Sequence, residues 1–494
     1  MDSFKNKKIY KILFNIFFLL VLPIVVLAPM GTWIPLIVLA LITLCSTNSF
    51  KNITFDKKNI VLIVTFILLT LLSYFLLNFD IKTINTLISL YFILFSFLIV
   101  LILYEPKTNY KSTTIQLVIS LVISFFIIIL DYTFQIGFKL WLSNNLDFKN
   151  FSNFYSLKKW VSFTEFQKNH QLIIQNYLSN TYDRGITALS VLAVPIYALC
   201  IFFNMKKTAF LVFFITVIGL STFFNITALI CFLLAFLLFF FLVFIKFFKK
   251  KTLLILMPIY FIISPFFLGN LNYKSLSDYE NKLQAKQKLL IKEILNDYPF
   301  FFTANNIGNV HLKNNQYDCC PFYKKAFIAL NKEDKKIQIL LFSLKYYILK
   351  LETKIIHRRV IWSFSKEKIL QRPILGHGIF SSRVIGHQYK IINQENKMLS
   401  AIPLHPHNSI LQIWLELGVL GIILFYVFLF NIINKIYLIK KINHLYAAFG
   451  LVSLFQIFLI GQFSYGFWQT WWISIIFITI LIYGILYKKI LQVR

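Results

Sequence analysis

The chain has 494 residues, 58% apolar and only 14% charged, and its 50 Lys and Arg outnumber 19 Asp and Glu for a net charge of +31. A soluble chain carries about 25% charged residues, so a water-soluble globular protein is excluded. The apolar residues come in blocks that approach the roughly 20 residues a bilayer-crossing helix needs, and the fold class expected is an all-α polytopic membrane protein.

Twelve spans are expected, at roughly 10–30, 32–46, 59–78, 86–104, 114–136, 185–204, 209–225, 227–246, 252–270, 408–433, 444–463 and 466–487. The first is long for a signal peptide, and Met30-Gly31 makes a poor cleavage site, so it is read as retained. Short segments that would face one side hold 21 Lys and Arg, and those on the other hold one, Lys82. By the positive-inside rule both termini lie in the cytoplasm. Much of the excess charge is therefore topology, and no nucleic-acid partner is implied. Two long segments, about 139–184 and 271–405, fall on the outer side. The chain divides into residues 1–270 with nine spans, a loop or cap at 271–405, and residues 406–494 with three spans. No internal repeat of the kind transporters carry is found.

Charge is nearly absent inside the spans, with Asp131 and Glu416 as exceptions. Carboxylates at membrane depth are functional candidates, although both are placed near the outer interface. Cys319-Cys320 and His311 lack metal-ligand spacing, so no metal is expected there. Segment 337–371 reads as a helix ended by Pro373 and Gly376.

Arginine is the scarce cation, six of the 50, and five lie in the outer segments: Arg184, Arg358, Arg359, Arg372 and Arg383. In a lysine-biased chain, arginine marks places where a planar, bidentate fork is needed, and phosphate is one such partner. The plain alternatives are an interfacial snorkelling role for Arg184, a solvated helix face with a cation–π contact to Trp362 for Arg358 and Arg359, and simple exposure for Arg383. His405-Pro406-His407-Asn408 stands at the mouth of the tenth span. Asn408 or Ser409 would cap that helix, and its N-terminus would favour anions and a neutral His407 able to take a proton. The plain alternative is a cap or an interfacial hydrogen bond. His405 is the weaker candidate of the two.

The run from His405 through Trp414-Leu415-Glu416-Leu417-Gly418 resembles the signature of the O-antigen ligase family, with a His followed by ten residues and a Gly. Arg358 four residues before Trp362, followed by Arg372-Pro373-Ile374-Leu375-Gly376-His377-Gly378, resembles a second family motif. Asp183-Arg184-Gly185 opening a span, with Pro195 farther in, resembles a third, except that Ala188 stands where the family usually has Leu. The resemblance implies a GT-C-like glycosyltransferase that works without metal or other cofactor. It would move a glycan from undecaprenyl diphosphate to a sugar hydroxyl of lipid A–core, on the periplasmic face of the bacterial inner membrane. His407 would activate the acceptor. Arg184 and Arg358 would hold the diphosphate, helped by Arg359 and Arg383, with His405, Asn408, Trp362 and Glu416 in support. A polymerase of the same superfamily, with a lipid-linked glycan as acceptor, is the nearest alternative, and a multi-span transporter is a more distant one. The sequence leaves the oligomeric state open.

Overall fold

In hydrocarbon every backbone N–H and C=O must find its partner within the protein, so the apolar blocks form helices. The computed structural model describes residues 2–46, 57–75, 81–103, 110–134, 170–222, 225–245, 249–269, a few between 278 and 289, 310–311, 316–317, 333–388, 390–392 and 398–492. Cys319 and Cys320 lie outside the described residues.

The helices are α1 (Asp2–Leu27), α2 (Trp33–Ser46), α3 (Lys57–Phe75), α4 (Ile81–Leu103), α5 (Tyr110–Phe134), α6 (His170–Phe202), α7 (Lys206–Thr222), α8 (Ile226–Phe240), α9 (Lys250–Leu268), α10 (Glu333–Gln371), α11 (Ser381–Gln388), α12 (Ser409–Lys440), α13 (His444–Phe463) and α14 (Thr470–Gln492). Each expected span has its helix. Nine segments of the described residues are long and apolar enough to cross a membrane, rather than twelve. The shortfall is at α3 and α14, whose apolar stretches are the shorter Val61–Phe75 and Thr470–Gly484, and at α7, which has 17 residues. The protein is a nearly all-helical polytopic membrane protein. Two small antiparallel ribbons depart from the all-α expectation, β1 (Val310–His311) with β2 (Gln316–Tyr317) and β3 (Lys390–Ile392) with β4 (Met398–Ser400).

The span in α6 is the most enclosed of all. It packs on α1, α5, α7, α8, α13 and α14 in one apolar core. A second core gathers α3, α9, α10 and α12. Outward faces remain apolar, with Phe210, Leu237 and Phe267 all exposed. Such surface is tolerable against lipid and costly in water. Several hydroxyls in the spans are satisfied within their own helix: Thr43 donates to the Leu39 carbonyl (2.7 Å), Ser124 to Ser120 (2.7 Å) and Thr216 to Val212 (2.7 Å). Lys250 of α9 and Lys440 and Lys441 of α12 line one cavity at the end of the bundle opposite His407.

Candidate active site

The site is built where α12 breaks. Gly418 has φ 62° and ψ −158°, which interrupts the helix between Leu417 and Val419. That backbone region is essentially restricted to glycine. The break leaves two carbonyls and two amides without helical partners, and the loop after α10 supplies all four. The His377 amide donates to the Leu415 carbonyl (2.8 Å) and the Gly378 amide to that of Glu416 (2.8 Å). In return the Val419 amide donates to the Pro373 carbonyl (2.9 Å) and the Leu420 amide to that of Ile374 (3.4 Å). The two motifs, Arg372 to Gly378 and His407 to Gly418, are thus halves of one backbone splice. A Cβ on Gly376 would lie 2.5 Å from the Glu416 carbonyl carbon, and one on Gly418 would lie 2.2 Å from the Ile374 oxygen.

Glu416 sits on the inner side of this splice. It is fully buried among protein groups. Its carboxylate accepts from the Phe380 amide (2.7 Å), Gln412 Nε2 (3.0 Å) and, in a very short bond, the Ser382 hydroxyl. Phe380, at φ 64°, is held in the left-handed region to make that bond. Glu416 therefore has its acceptor sites filled by donors, and its role is to hold the loop. Asp131 is likewise buried and accepts from the Tyr182 hydroxyl (2.6 Å), tying α5 to the mouth of α6.

At the N-terminus of α12 the cap is Asn408, whose side-chain oxygen accepts from the Leu411 amide (3.0 Å). The Ser409 hydroxyl donates to the Gly461 carbonyl (3.0 Å) and clamps α12 to α13. His407 precedes the cap with φ 54°, a conformation uncommon for a residue with a Cβ. Trp362 Nε1 donates to the Pro406 carbonyl (3.0 Å), pinning the backbone just before His407. The Trp362 N–H therefore fastens α10 to the segment that carries His407.

The His407 ring is fixed by the Ser464 carbonyl, 2.9 Å from Nδ1. A carbonyl can only accept, so Nδ1 carries the proton and Nε2 of the neutral ring is a free base. The His407 amide donates to His405 Nδ1 (3.2 Å), and the two rings meet edge to face with centroids 4.4 Å apart. Burial, followed by the charges of His407 and Arg184, pushes His405 down to about 3. His407 is also held below the ordinary imidazole range, by burial first and then by Arg358 and His357, while its bond to Ser464 works in the opposite sense. Burial, the largest of these causes, favours the neutral form of His407.

Arg184 and Arg358 thus approach the histidine pair from α6 and α10, close enough to act on His405 and His407 respectively. Burial also disfavours the charged form of Arg358, which leaves that guanidinium suited to an anionic partner. Arg184 Nη1 lies 2.8 Å from Met30 Sδ. Arg359 is half-buried beside Arg358 with no described link to His407, and Arg383 is exposed on α11. His357, passed over in the sequence, is next to His407. Also unforeseen are Asn225, Ser464 and Tyr465, which with the motif residues Asp183, Thr187 and Gln412 hold the arginine and histidine elements together. The one available signal was the polar and glycine-bearing Ser464-Tyr465-Gly466 between two spans.

Residues 192–426 match the O-antigen ligase family. A protein of Rickettsia felis is 42% identical over 119 residues, covering 24% of this chain and 29% of its own length. Relatives from Rickettsia prowazekii (43% over 118 residues, 24% of this chain and 29% of the relative) and Rickettsia bellii (35% over 119 residues, with the same coverage) are similar, and all three are named provisionally as polysaccharide ligases. The matched segment spans under a third of the length of these relatives. No solved structure matches the chain significantly. The region that carries Arg358, Trp362, the splice and His407 is a member of the O-antigen ligase family, embedded in a multi-pass membrane protein.

Proposed function

We propose that the protein is a ligase-type glycosyltransferase that moves a glycan from undecaprenyl diphosphate to a sugar hydroxyl of lipid A–core. The observation that carries this reading is a half-buried, neutral His407 whose Nε2 has no hydrogen-bond partner among the described residues, with Arg184 and Arg358 acting on the histidine pair from two other elements. His407 Nε2 takes the proton of the acceptor hydroxyl as its oxygen attacks the anomeric carbon of the donor sugar. The bond from that carbon to the diphosphate oxygen breaks, and undecaprenyl diphosphate leaves. Arg184 and Arg358 stabilise the negative charge that grows on the leaving group. Arg359 lies next in line, and Arg383 contacts donor or acceptor only at the rim. The neutral His405 supports the His407 backbone, and Trp362, Asn408 and Glu416 hold the site's frame. The segments 1–270, 271–405 and 406–494 each supply part of it.

The reaction is placed on the periplasmic face of the bacterial inner membrane, with both termini in the cytoplasm. The lysine clusters at the end of the bundle away from His407 support that orientation. The test is glycan attachment in a host lacking its own ligase, comparing wild type with His407→Ala at equal membrane levels and reading lipopolysaccharide ladders. Ladders on lipid A–core with wild type and none with the variant are expected. Longer lipid-linked chains with no transfer to core would replace this reading with a polymerase. No change in either product would refute both.

A further inference from the structure

The base and the diphosphate-binding arginine sit on different helices, and a transfer site works only if such groups keep their relation to within a fraction of an ångström. The turn between α13 and α14 joins them through two consecutive residues. The Ser464 carbonyl accepts the Nδ1 proton of His407 at 2.9 Å. The next residue, Tyr465, donates its hydroxyl to Asp183 Oδ2 at 2.7 Å, directly beside Arg184. Asp183 is itself held by Asn225 Nδ2 (2.8 Å), and Thr187 Oγ1 lies 3.1 Å from the Tyr465 hydroxyl. The Tyr465 ring packs edge-on against Trp471 with centroids 4.7 Å apart. Farther along the turn, the Phe467 amide donates to Gln412 Oε1 (2.7 Å), so both ends of the turn are tied. Burial and the neighbouring Asp183 charge keep the phenol protonated and therefore a donor. These residues, Asp183, Ser464 and Tyr465, lie outside the stretch that matches the family.

We propose that Tyr465 is a positioning residue, whose bond to Asp183 holds the Ser464 carbonyl where it keeps His407 in the Nδ1-protonated, Nε2-basic tautomer and in register with Arg184. The role deepens the proposed function, because it rests on His407 as the base. Only the Tyr465 hydroxyl is needed, since the Trp471 contact is made by the ring. His407 is also acted on by His405, His357 and Arg358, and Arg358, a donor only, cannot accept its Nδ1 proton.

The test uses full-length protein labelled with ¹⁵N-histidine in lipid nanodiscs, with the His407 signal identified by its loss in His407→Ala. Solid-state nitrogen shifts report which ring nitrogen carries the proton. Wild type is expected to show the Nδ1-protonated form. Tyr465→Phe is expected to give a mixture of tautomers, with kcat for transfer lowered by about ten- to a hundredfold, KM for the donor much less affected, and an acid limb shifted in the pH–rate profile. Gly484→Ala, whose Cβ would come no nearer than 3.6 Å to Leu101, is the control and should leave the tautomer as in wild type. If Tyr465→Phe does not accumulate, Asp183→Ala removes the same bond from its other partner and is read in the same way. An unchanged tautomer in the hydroxyl-deleted protein, or an Nε2-protonated His407 in wild type, overturns the proposal. Transfer that survives His407→Ala would overturn the general-base reading alone, because the nitrogen shifts decide the positioning role without reference to activity.

Discussion

Replacing Gly418 by Ala strikes the feature on which the site most depends. The new Cβ would lie 2.2 Å from the Ile374 oxygen, 2.4 Å from the Ile374 carbonyl carbon and 2.7 Å from the Gly376 nitrogen. All three are backbone atoms, so no side-chain rotation relieves the clash. Holding a residue with a Cβ at φ 62° and ψ −158° costs about 1–3 kcal/mol. If the backbone relaxes instead, the four crossed hydrogen bonds of the splice are strained or lost, at about 0.5–1.5 kcal/mol each. The two routes predict a loss of about 1–3 and about 2–6 kcal/mol respectively, a large part of the roughly 5–15 kcal/mol that holds a domain together. Gly484→Ala is the control, because its Cβ would come no nearer than 3.6 Å to Leu101. The assay is denaturant unfolding in detergent micelles followed by tryptophan fluorescence, with Trp362 and Trp414 both packed in the core that surrounds the splice. Gly418→Ala within about 0.5 kcal/mol of wild type, the range of an ordinary surface change, would refute the broken helix and the splice with it.

Other expectations follow from the same geometry. Trp362→Phe removes the donor to the Pro406 carbonyl; it should cost about 1–3 kcal/mol in the same unfolding assay and lower transfer, and no change in either would show that the indole does not pin the His407 segment. Arg184→Ala and Arg358→Ala should each reduce transfer by about 100-fold or more, whereas Arg383→Ala, on an exposed face, should stay within a few-fold; the reverse order in a ladder assay would remove Arg184 and Arg358 from the diphosphate site. Asn408→Ala deletes the cap bond to Leu411 and should lower stability by about 0.5–2 kcal/mol, measurable as a lower unfolding midpoint. His405 and His407 are both depressed in the folded protein, His405 to about 3, against an ordinary histidine value of about 6.5. Unfolding therefore takes up protons, so the stability these neutral rings contribute is complete above pH of about 6.5 and is lost as pH falls toward the folded values. The thermal midpoint should drop between about pH 7 and about pH 4, and less steeply in His405→Asn; a slope identical in wild type and variant would contradict the assignment.

The helical class, a helix at each expected span and the motifs that hold Arg184, Arg358, Trp362 and His407 were legible in the chain itself. Hydrocarbon forces backbone hydrogen bonds to be local, so apolar blocks announce their helices, and short motifs such as His407 to Gly418 keep their residues on one element. The Asn408 cap was legible for the same reason, since it acts within three residues. What the chain did not disclose are relations between residues far apart in sequence. Gly376 read as a helix stop and Gly418 as the end of a motif, yet each exists to let the other's backbone approach. Glu416 read as one of two carboxylates within the spans, and only the fold shows that the loop from Ile379 to Ser382 supplies its donors. Asp183 stood in a motif and Ser464 and Tyr465 in a polar turn, but their partners were not legible, because a carbonyl bonded to a ring 57 residues away, and a phenol that meets a carboxylate 282 residues away, leave no mark on periodicity or spacing. Composition and local pattern determined that this chain crosses a membrane and where its reactive groups stand; only the packing of α6, α10 and α12 with the turn between α13 and α14 decided that they stand together.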